Sequence, residues 1–365
     1  MRGLHQCGPE FQAGALRETN RLRGKGKSME KLDVLSLINP QMKAILAKED
    51  ELAGDANDTS VGFEVMRENY ILGRQYWVQG GPQMKESFDE TVEGPNGPVP
   101  IRFYYPTQET LDAKEAKEGK VATIVYVHGG GFVLGNLDTH DRICRVLADD
   151  AQAIVVAVDY HLAPEAKYPS QIQEVCAVLT HLHENGAEYG IDGDRLAMAG
   201  DSGGAHLNLA STLYYRDKIG DASFIKALLL YYGSFGLRDS NSHRLLGGPW
   251  DGLEEKDLEF YMTLYGGDFD KLIQEQYFNL YLNDFTYDMP ALYIAAAEYD
   301  PLIDDSDLLA TIAEQSGVPY QYEVFEGVIH AFLHYTRALD AANDALEHGA
   351  TFFRQVMGIP EEGLQ

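Results

Sequence analysis

The sequence predicts an α/β protein with a mostly parallel central sheet and helices on both faces. From residue 121 onward, short apolar runs alternate with segments of helical periodicity. Strands buried on both faces read as such continuous apolar runs, and parallel strands need crossover connections that are usually helical. A 365-residue chain with 45% hydrophobic residues is long enough to bury a sizeable core.

Six apolar runs are predicted as strands of this sheet. They are VATIVYVH from residue 121, AIVVAVDY from 153, RLAMAGDS from 195, ALLLYYG from 227, ALYIAAAEYD from 291 and YQYEVF from 320. The clearest helical segments are QIQEVCAVLTHLHENG from 171, GGAHLNLASTLYYRDK from 203 and DSDLLATIAEQSG from 305. Since no linker or repeat divides this pattern, residues 29–365 are expected to form one domain.

Three further segments flank or interrupt the alternation. Residues 87–106 alternate polar and apolar side chains around a Gly-Pro-Asn-Gly turn, which predicts an antiparallel hairpin. Residues 32–51 and 63–78 predict short amphipathic helices. Residues 236–267 have the weakest pattern for a regular sheet and predict a helical insertion.

The charge and cysteine content exclude several classes of partner. A formal net charge of -28 would repel nucleic acid and anionic membrane surfaces. No apolar run approaches the roughly 20 residues that cross a bilayer. Cys7, Cys144 and Cys176 are too scattered for a disulfide framework or a zinc site, so we expect a reducing, cytoplasmic location and no bound metal.

The serine of AGDSGGAHL has the sequence context of a nucleophile. Ser202 lies in a Gly-x-Ser-x-Gly motif directly after a predicted strand and directly before a predicted helix. Small flanking residues permit the sharp turn that lifts such a hydroxyl above the sheet. A surface turn serine is the alternative, and the flanking strand and helix favour the nucleophile.

A serine nucleophile needs a base to take its proton and an acid to orient that base. In this strand order the acid and then the base should follow the serine, each after a strand. Asp300 ends the run ALYIAAAEYD, and His330 follows YQYEVF. Asp304 and Asp305 compete with Asp300, but Pro301 disfavours helical geometry at Asp300 and marks it as a strand-exit residue.

Three successive glycines follow the first predicted parallel strand. Acyl transfer develops negative charge on a carbonyl oxygen, which backbone N–H groups can stabilise if the chain approaches closely. Gly129, Gly130 and Gly131 are therefore predicted to form an oxyanion hole with Gly203, the donors being the amides of Gly130, Gly131 and Gly203. A phosphate-binding loop is the alternative, but its motifs are not completed here. His128 is expected to hold the loop by hydrogen bonding.

The motifs together resemble the hormone-sensitive-lipase family of α/β-hydrolases. They are HGGGF at 128–132, DYHLAPE at 159–165, GDSGG at 200–204, EYDPL at 298–302 and HAF at 330–332. FVLGNLDTHDR from residue 132 and GLRDSNSHRLLGGPWDGL from 236 resemble the bacterial acetyl esterases of that family. Many members have Ala at the position of Gly203, where the donor is a backbone amide.

The resemblance implies a serine carboxylesterase with a Ser202-Asp300-His330 triad that requires no metal or cofactor. It also implies a helical cap formed by about residues 29–80 and 237–275, and a preference for acetyl to butyryl esters. A ligand-binding or regulatory protein on the same fold, acting through protein–protein contact, stays open as the alternative. A homodimer and a regulatory protein partner are both compatible with the sequence.

Residues 1–28 differ in charge from the rest, with six Lys or Arg against two Asp or Glu. They lack an apolar core or strong helical periodicity, which favours a disordered leader over a targeting peptide. Deletion of residues 1–28 is expected to leave the melting temperature and the activity nearly unchanged. A large loss of either, measured by calorimetry and ester hydrolysis, would contradict this expectation.

Overall fold

The central sheet is mostly parallel, as the sequence predicts. The structure, a computed structural model, describes residues 31–52 and 58–360, so the expected leader over residues 1–28 lies outside the described residues. Eight strands of the described chain form one sheet in the order β1-β2-β4-β3-β5-β6-β7-β8. The strands are β1 Glu86–Gly94, β2 Gly97–Tyr105, β3 Val121–Val127, β4 Ile154–Val158, β5 Ile191–Asp201, β6 Ile225–Tyr231, β7 Ala291–Ala297 and β8 Tyr320–Phe325.

Antiparallel pairing occurs at one side of this sheet. β1 and β2 form the predicted hairpin, in which Gly94 is paired with Gly97 across the turn. β2 also pairs antiparallel with β4, and each remaining neighbouring pair is parallel. The six predicted parallel strands are all found, and their carboxyl ends therefore meet at one edge of the sheet.

Helices cover both faces of the sheet. They are α1 Val34–Leu37, α2 Pro40–Glu51, α3 Phe63–Arg74, α4 Gln108–Glu115, α5 Asp141–Ala151, α6 Ser170–Asn185, α7 Gly203–Tyr214, α8 Asn241–Leu245, α9 Glu255–Gly266, α10 Phe269–Leu272, α11 Ile303–Ser316 and α12 Asp340–Met357. One apolar core includes residues of α6, α7 and α11, and the other includes residues of α5 and α12. Successive residues of β3 enter opposite cores, as Val125 and Tyr126 do, because side chains alternate along a strand.

The predicted N-terminal helices and the insertion are both present. The break at Pro40 separates α1 from α2, and α2 begins where the Asn39 side chain accepts a hydrogen bond of 2.8 Å from the Met42 amide. Residues 236–267 contain α8 and α9, between β6 and β7. No helix in the described part of the chain is long and apolar enough to span a membrane.

Helix α3 is tied to the body of the protein by Arg67. The Nε group donates to the Val133 carbonyl oxygen and Nη2 donates to that of Ala163, each at 2.8 Å. Both Nη groups also contact the Glu165 carboxylate at 2.8 Å. These bonds join α3 to the segment that follows the glycine-rich loop.

Candidate active site

Ser202 lies in a sharp turn at the carboxyl end of the sheet. The turn joins β5 to α7, and Ser202 has φ of 52° and ψ of -120°. A non-glycine residue in such a conformation costs about 1–3 kcal/mol and is typical of functional sites. The Ser202 amide donates to the Tyr231 carbonyl oxygen at 2.8 Å, which fixes the turn against β6.

A hydrogen-bonded chain joins Ser202, His330 and Asp300. His330 Nε2 lies 2.9 Å from Ser202 Oγ, and His330 Nδ1 lies 2.7 Å from Asp300 Oδ2. If Nδ1 carries the proton and donates to Asp300, Nε2 is free to accept a hydrogen bond from the serine hydroxyl. The structure thus brings together the three side chains that the sequence predicts, from the ends of three different strands.

The two competing carboxylates have other partners. Asp305 Oδ1 accepts hydrogen bonds from the amides of residues 235–237, at 2.7–3.2 Å. Asp304 Oδ2 accepts from the Ser242 amide at 3.0 Å. Both aspartates therefore hold the chain that leads into the helical insertion, and Asp300 alone of the three contacts His330.

The environment of His330 favours its protonated form. Burial acts to lower the pKa of His330, but the charge and hydrogen bond of Asp300 outweigh it, so the pKa lies above the ordinary value of 6.5. A base with a raised pKa binds the serine proton more strongly once the hydroxyl attacks. Asp300 is 1% exposed, so water does not screen this interaction.

The glycine-rich loop presents backbone amides next to Ser202. Gly130 and Gly131 have φ of 111° and 59°, in the region that glycine adopts without strain. Within the described residues, the amides of Gly130, Gly131 and Gly203 donate to no protein acceptor. A Cβ on Gly203 would lie 3.5 Å from the Gly131 nitrogen, so these amides are neighbours.

Gly129 is predicted to belong to the oxyanion hole, whose predicted donors are the amides of Gly130, Gly131 and Gly203. The Gly129 N–H donates to Asp201 Oδ1 at 3.0 Å and is not available to a substrate. Glycine is required here for another reason, because a Cβ would lie 2.5 Å from Asp201 Oδ2. Gly129 thus allows the loop to approach the Asp201 carboxylate.

Asp201 is a site residue that the sequence analysis did not single out. It is 1% exposed and also accepts a hydrogen bond of 2.8 Å from the Tyr126 hydroxyl. Burial would raise the pKa of Asp201, but His140, 3.4 Å away, and the Tyr126 hydroxyl help to outweigh burial and hold that pKa well below its usual range. Its position directly before the nucleophile in GDSGG was the available signal.

His128 holds the loop, as expected. Its Nδ1 lies 2.8 Å from the Gly129 carbonyl oxygen, and its ring stacks on Tyr160 with centroids 4.4 Å apart. The Tyr160 hydroxyl also donates to the His128 carbonyl oxygen at 3.0 Å. His330, and not His128, contacts Ser202.

One buried cluster in the described part of the chain has the spacing of a metal site. The ligand atoms of His140, Asp201 and His334 lie within 4.8 Å of one another. However, His140 Nδ1 is bonded to the Thr139 hydroxyl and His334 Nε2 to the Tyr70 hydroxyl, at 2.9 and 3.0 Å. Asp201 Oδ1 is likewise bonded to the Gly129 amide and the Tyr126 hydroxyl, whereas His140 Nε2 has no hydrogen-bond partner among the described residues. We assign no metal to this cluster.

A cavity of about 90 Å³ opens onto Ser202 and His330. Two helices form part of its wall. Helix α3 contributes Tyr70 and Arg74, and helix α9 contributes Leu258, Tyr261 and Met262. Sequence reasoning did not place these residues at the site, because they belong to no motif. Tyr261 lies against the glycine-rich loop, since a Cβ on Gly131 would be 2.8 Å from its ring.

A parallel sheet with a serine turn, a histidine and free loop amides at the carboxyl ends of its strands defines the class of α/β-hydrolases. A family model described as alpha/beta hydrolase fold matches residues 124–334, which is more than half of the chain. The chain belongs to this family, in the hormone-sensitive-lipase group that its motifs resemble.

Solved structures agree with this assignment. An esterase from the hyperthermophilic archaeon Pyrobaculum calidifontis is 28% identical, with a TM-score of 0.79, and the match covers 89% of this chain and 100% of that one. A thermophilic carboxylesterase cloned from a metagenomic library is 26% identical, with a TM-score of 0.74 and coverage of 81% and 97%. An ester-hydrolase from the Lake Arreo metagenome is 25% identical, with a TM-score of 0.79 and coverage of 88% and 100%.

Alanine substitutions at two adjacent glycines should have different effects. A Cβ on Gly203 would meet Phe132 at 3.4 Å, an ordinary contact, so Gly203→Ala should raise the free energy of unfolding by up to about 1 kcal/mol. A Cβ on Gly204 would overlap the Val127 carbonyl oxygen, so Gly204→Ala should lower the free energy of unfolding by about 2 kcal/mol or more. Urea unfolding measures both, and equal effects would contradict the geometry.

The His330 imidazole should titrate above pH 6.5 in an NMR experiment. Its conjugate acid is stabilised by Asp300, so Asp300→Asn should move the midpoint downward. The matched control is Asp304→Asn, which leaves the contact between His330 and Asp300 in place. A midpoint that is unchanged by Asp300→Asn would contradict the assigned pair.

Proposed function

We propose that the protein is a serine carboxylesterase that hydrolyses short-chain acyl esters, acetyl to butyryl, through an acyl-enzyme intermediate. The observation that carries this proposal is the continuous hydrogen-bonded chain from Ser202 through His330 to Asp300. The unengaged amides of the glycine-rich loop lie beside the same hydroxyl. A nucleophile, a base and a site for the developing oxyanion are the parts that acyl transfer needs.

In this mechanism Ser202 Oγ attacks the ester carbonyl carbon while His330 Nε2 takes the hydroxyl proton. Asp300 holds the imidazole in the required tautomer and stabilises the imidazolium. The amides of Gly130, Gly131 and Gly203 receive the oxyanion, and a single such donor contributes about 3–4 kcal/mol to the transition state. His330 then protonates the leaving alcohol, and water releases the acyl group by the reverse proton transfers.

The size of the cavity supports a short acyl chain. About 90 Å³ is smaller than the 150 Å³ cavity that holds a benzene ring in an engineered protein. Two aromatic rings line it: Phe132, which stacks on Tyr265 with centroids 4.0 Å apart, and Tyr261, which lies against Gly131. A long acyl chain would have to displace these rings.

The similar structures favour an ester over other acyl substrates. The Pyrobaculum calidifontis protein is named an esterase, and the metagenomic relative is named a carboxylesterase. Both match this chain over more than four fifths of its length.

We also infer that the N-terminal helices and the insertion between β6 and β7 act as a cap. Residues of α3 and α9 line the cavity, which supports this role for those two helices. Helices α1 and α2 contribute instead to the core that contains α5 and α12, through Val34, Ile38, Met42 and Ile45. Of the described N-terminal helices, α3 therefore carries the contacts with the cavity.

A series of p-nitrophenyl esters from acetate to dodecanoate tests the proposal. The wild-type protein should have its highest kcat/KM between acetate and butyrate, and octanoate should be at least about tenfold slower because the cavity is small. Ser202→Ala should lower kcat by about 10⁴-fold or more, since the nucleophile is lost.

The matched control is Ser211→Ala, a buried serine of α7 that does not line the cavity. It should retain wild-type kcat within about twofold. Full activity of Ser202→Ala would rule out the triad, and a rate that increases up to octanoate would rule out the short-chain preference.

A further inference from the structure

Asp251 lines the catalytic cavity, and one of its carboxylate oxygens has no hydrogen-bond partner among the described residues. Its Oδ1 accepts hydrogen bonds from the amides of Gly248 and Leu253, at 3.2 and 3.0 Å, which fix the orientation of the side chain. Its Oδ2 is buried and has no hydrogen-bond partner among the described residues. The residue lines the same cavity as Ser202 and His330.

A buried acceptor without a partner is costly, and native proteins rarely keep one without a reason. Burial is the main cause that raises the pKa of Asp251, to about 7, with the nearby Asp300 acting in the same direction and His330 against it. A ligand that donates a hydrogen bond to Oδ2 would remove this cost. Because Asp251 lines the cavity, a substrate that reaches Oδ2 is the natural donor.

The position of Asp251 relative to His330 indicates which part of the substrate it meets. The loop that carries it, residues 246–254, packs next to Asp300: a Cβ on Gly247 would lie 3.2 Å from Pro301 Cγ. In acyl transfer the catalytic histidine protonates the leaving oxygen, so the alcohol part of an ester lies on the histidine side of the nucleophile. Asp251 is therefore placed to contact the alcohol rather than the acyl group.

We propose that Asp251 is a specificity-determining residue, which selects esters whose alcohol part carries a hydrogen-bond donor, a hydroxyl or an ammonium group. The inference rests on the proposed esterase function and assigns a role to a residue outside the triad. A donor within reach of Oδ2 gains a charge-assisted hydrogen bond when the alcohol group is bound. An apolar alcohol leaves the buried carboxylate oxygen unpaired and is disfavoured.

The surroundings of the cavity suit such an alcohol. Leu258 separates the catalytic cavity from a second groove, of about 620 Å³, and lines both. That groove is lined by charged side chains, among them Arg238, Asp239 and Arg244. An alcohol that extends past Leu258 thus meets polar groups.

Two pairs of isosteric acetate esters test the inference at about pH 8, where Asp251 is largely ionised. One pair is 2-hydroxyethyl acetate and propyl acetate, which differ by a hydroxyl in place of a methyl group. The other pair is protonated 2-(dimethylamino)ethyl acetate and 3-methylbutyl acetate, which differ by an ammonium N–H in place of C–H. The readout is the ratio of kcat/KM within each pair, so a general change in rate cancels.

In the wild-type protein the donor-bearing ester of at least one pair should be preferred by about tenfold or more. Asp251→Asn keeps an acceptor for the two loop amides and replaces the free oxygen by an NH₂ group, so that preference should fall about tenfold. If Asp251→Asn lowers the preference in the first pair, the donor is a hydroxyl group; if it lowers the preference in the second pair, the donor is an ammonium group. The matched control is Asp305→Asn, another buried carboxyl whose Oδ2 has no partner but which does not line the cavity; it should keep the wild-type ratios.

Ratios near one for both pairs in the wild-type protein would overturn the inference, even if Asp251→Asn failed to fold. The inference would also be overturned if Asp251→Asn left both kcat/KM ratios at their wild-type values. In both cases hydrolysis of the acetates would continue, and the proposed esterase function would stand. Failure of the wild-type protein to hydrolyse any ester would instead refute the proposed function, and the role of Asp251 with it.

Discussion

The arrangement of the site depends on the Asp201 carboxylate, which joins the two turns that must face each other. Asp201 precedes Ser202 at the end of β5, and its Oδ1 binds the Gly129 amide at the end of β3. The nucleophile and the loop amides therefore share one buried anchor. Tyr126, on β3, binds the same oxygen and prevents the carboxylate from rotating away. Such preorganisation matters because donors that are already aimed need no rearrangement when charge develops.

The fold and the proximity of Ser202, Asp300 and His330 could be predicted because each depends on local sequence. Strands buried on both faces have a characteristic composition, and residues at the carboxyl ends of parallel strands meet at one edge. Ser202 could therefore be placed from its motif, and Asp300 and His330 from strand order and from Pro301. The hydrogen bond between the Gly129 amide and Asp201 could not be predicted, because three adjacent glycines look alike in sequence, whereas the direction of each N–H depends on the dihedral angles of the turn.

The rest of the cavity could not be predicted for a different reason. Tyr70, Arg74, Asp251 and Tyr261 come from α3, from the loop after α8 and from α9, and no fixed spacing relates them to Ser202. Their positions depend on how those segments pack over the sheet. Asp251 resembles any acidic loop residue in sequence; only the folded chain reveals that it lines the cavity and that one of its oxygens is buried without a partner.

Arg67 ties α3 to the body of the protein, so the α3 wall of the cavity is more tightly constrained than the wall formed by Leu258 and Met262 of α9. Arg67 holds the Val133 carbonyl, two residues after the glycine-rich loop, so a shift of α3 would pull on the segment that positions the amides. The wall formed by Leu258 and Met262 on α9 has no such bond to that segment among the described residues. Substitutions at Leu258 or Met262 can thus change the size of the cavity without breaking the Arg67 hydrogen bonds, whereas Tyr261 of the same helix packs on Gly131 and is constrained by the loop.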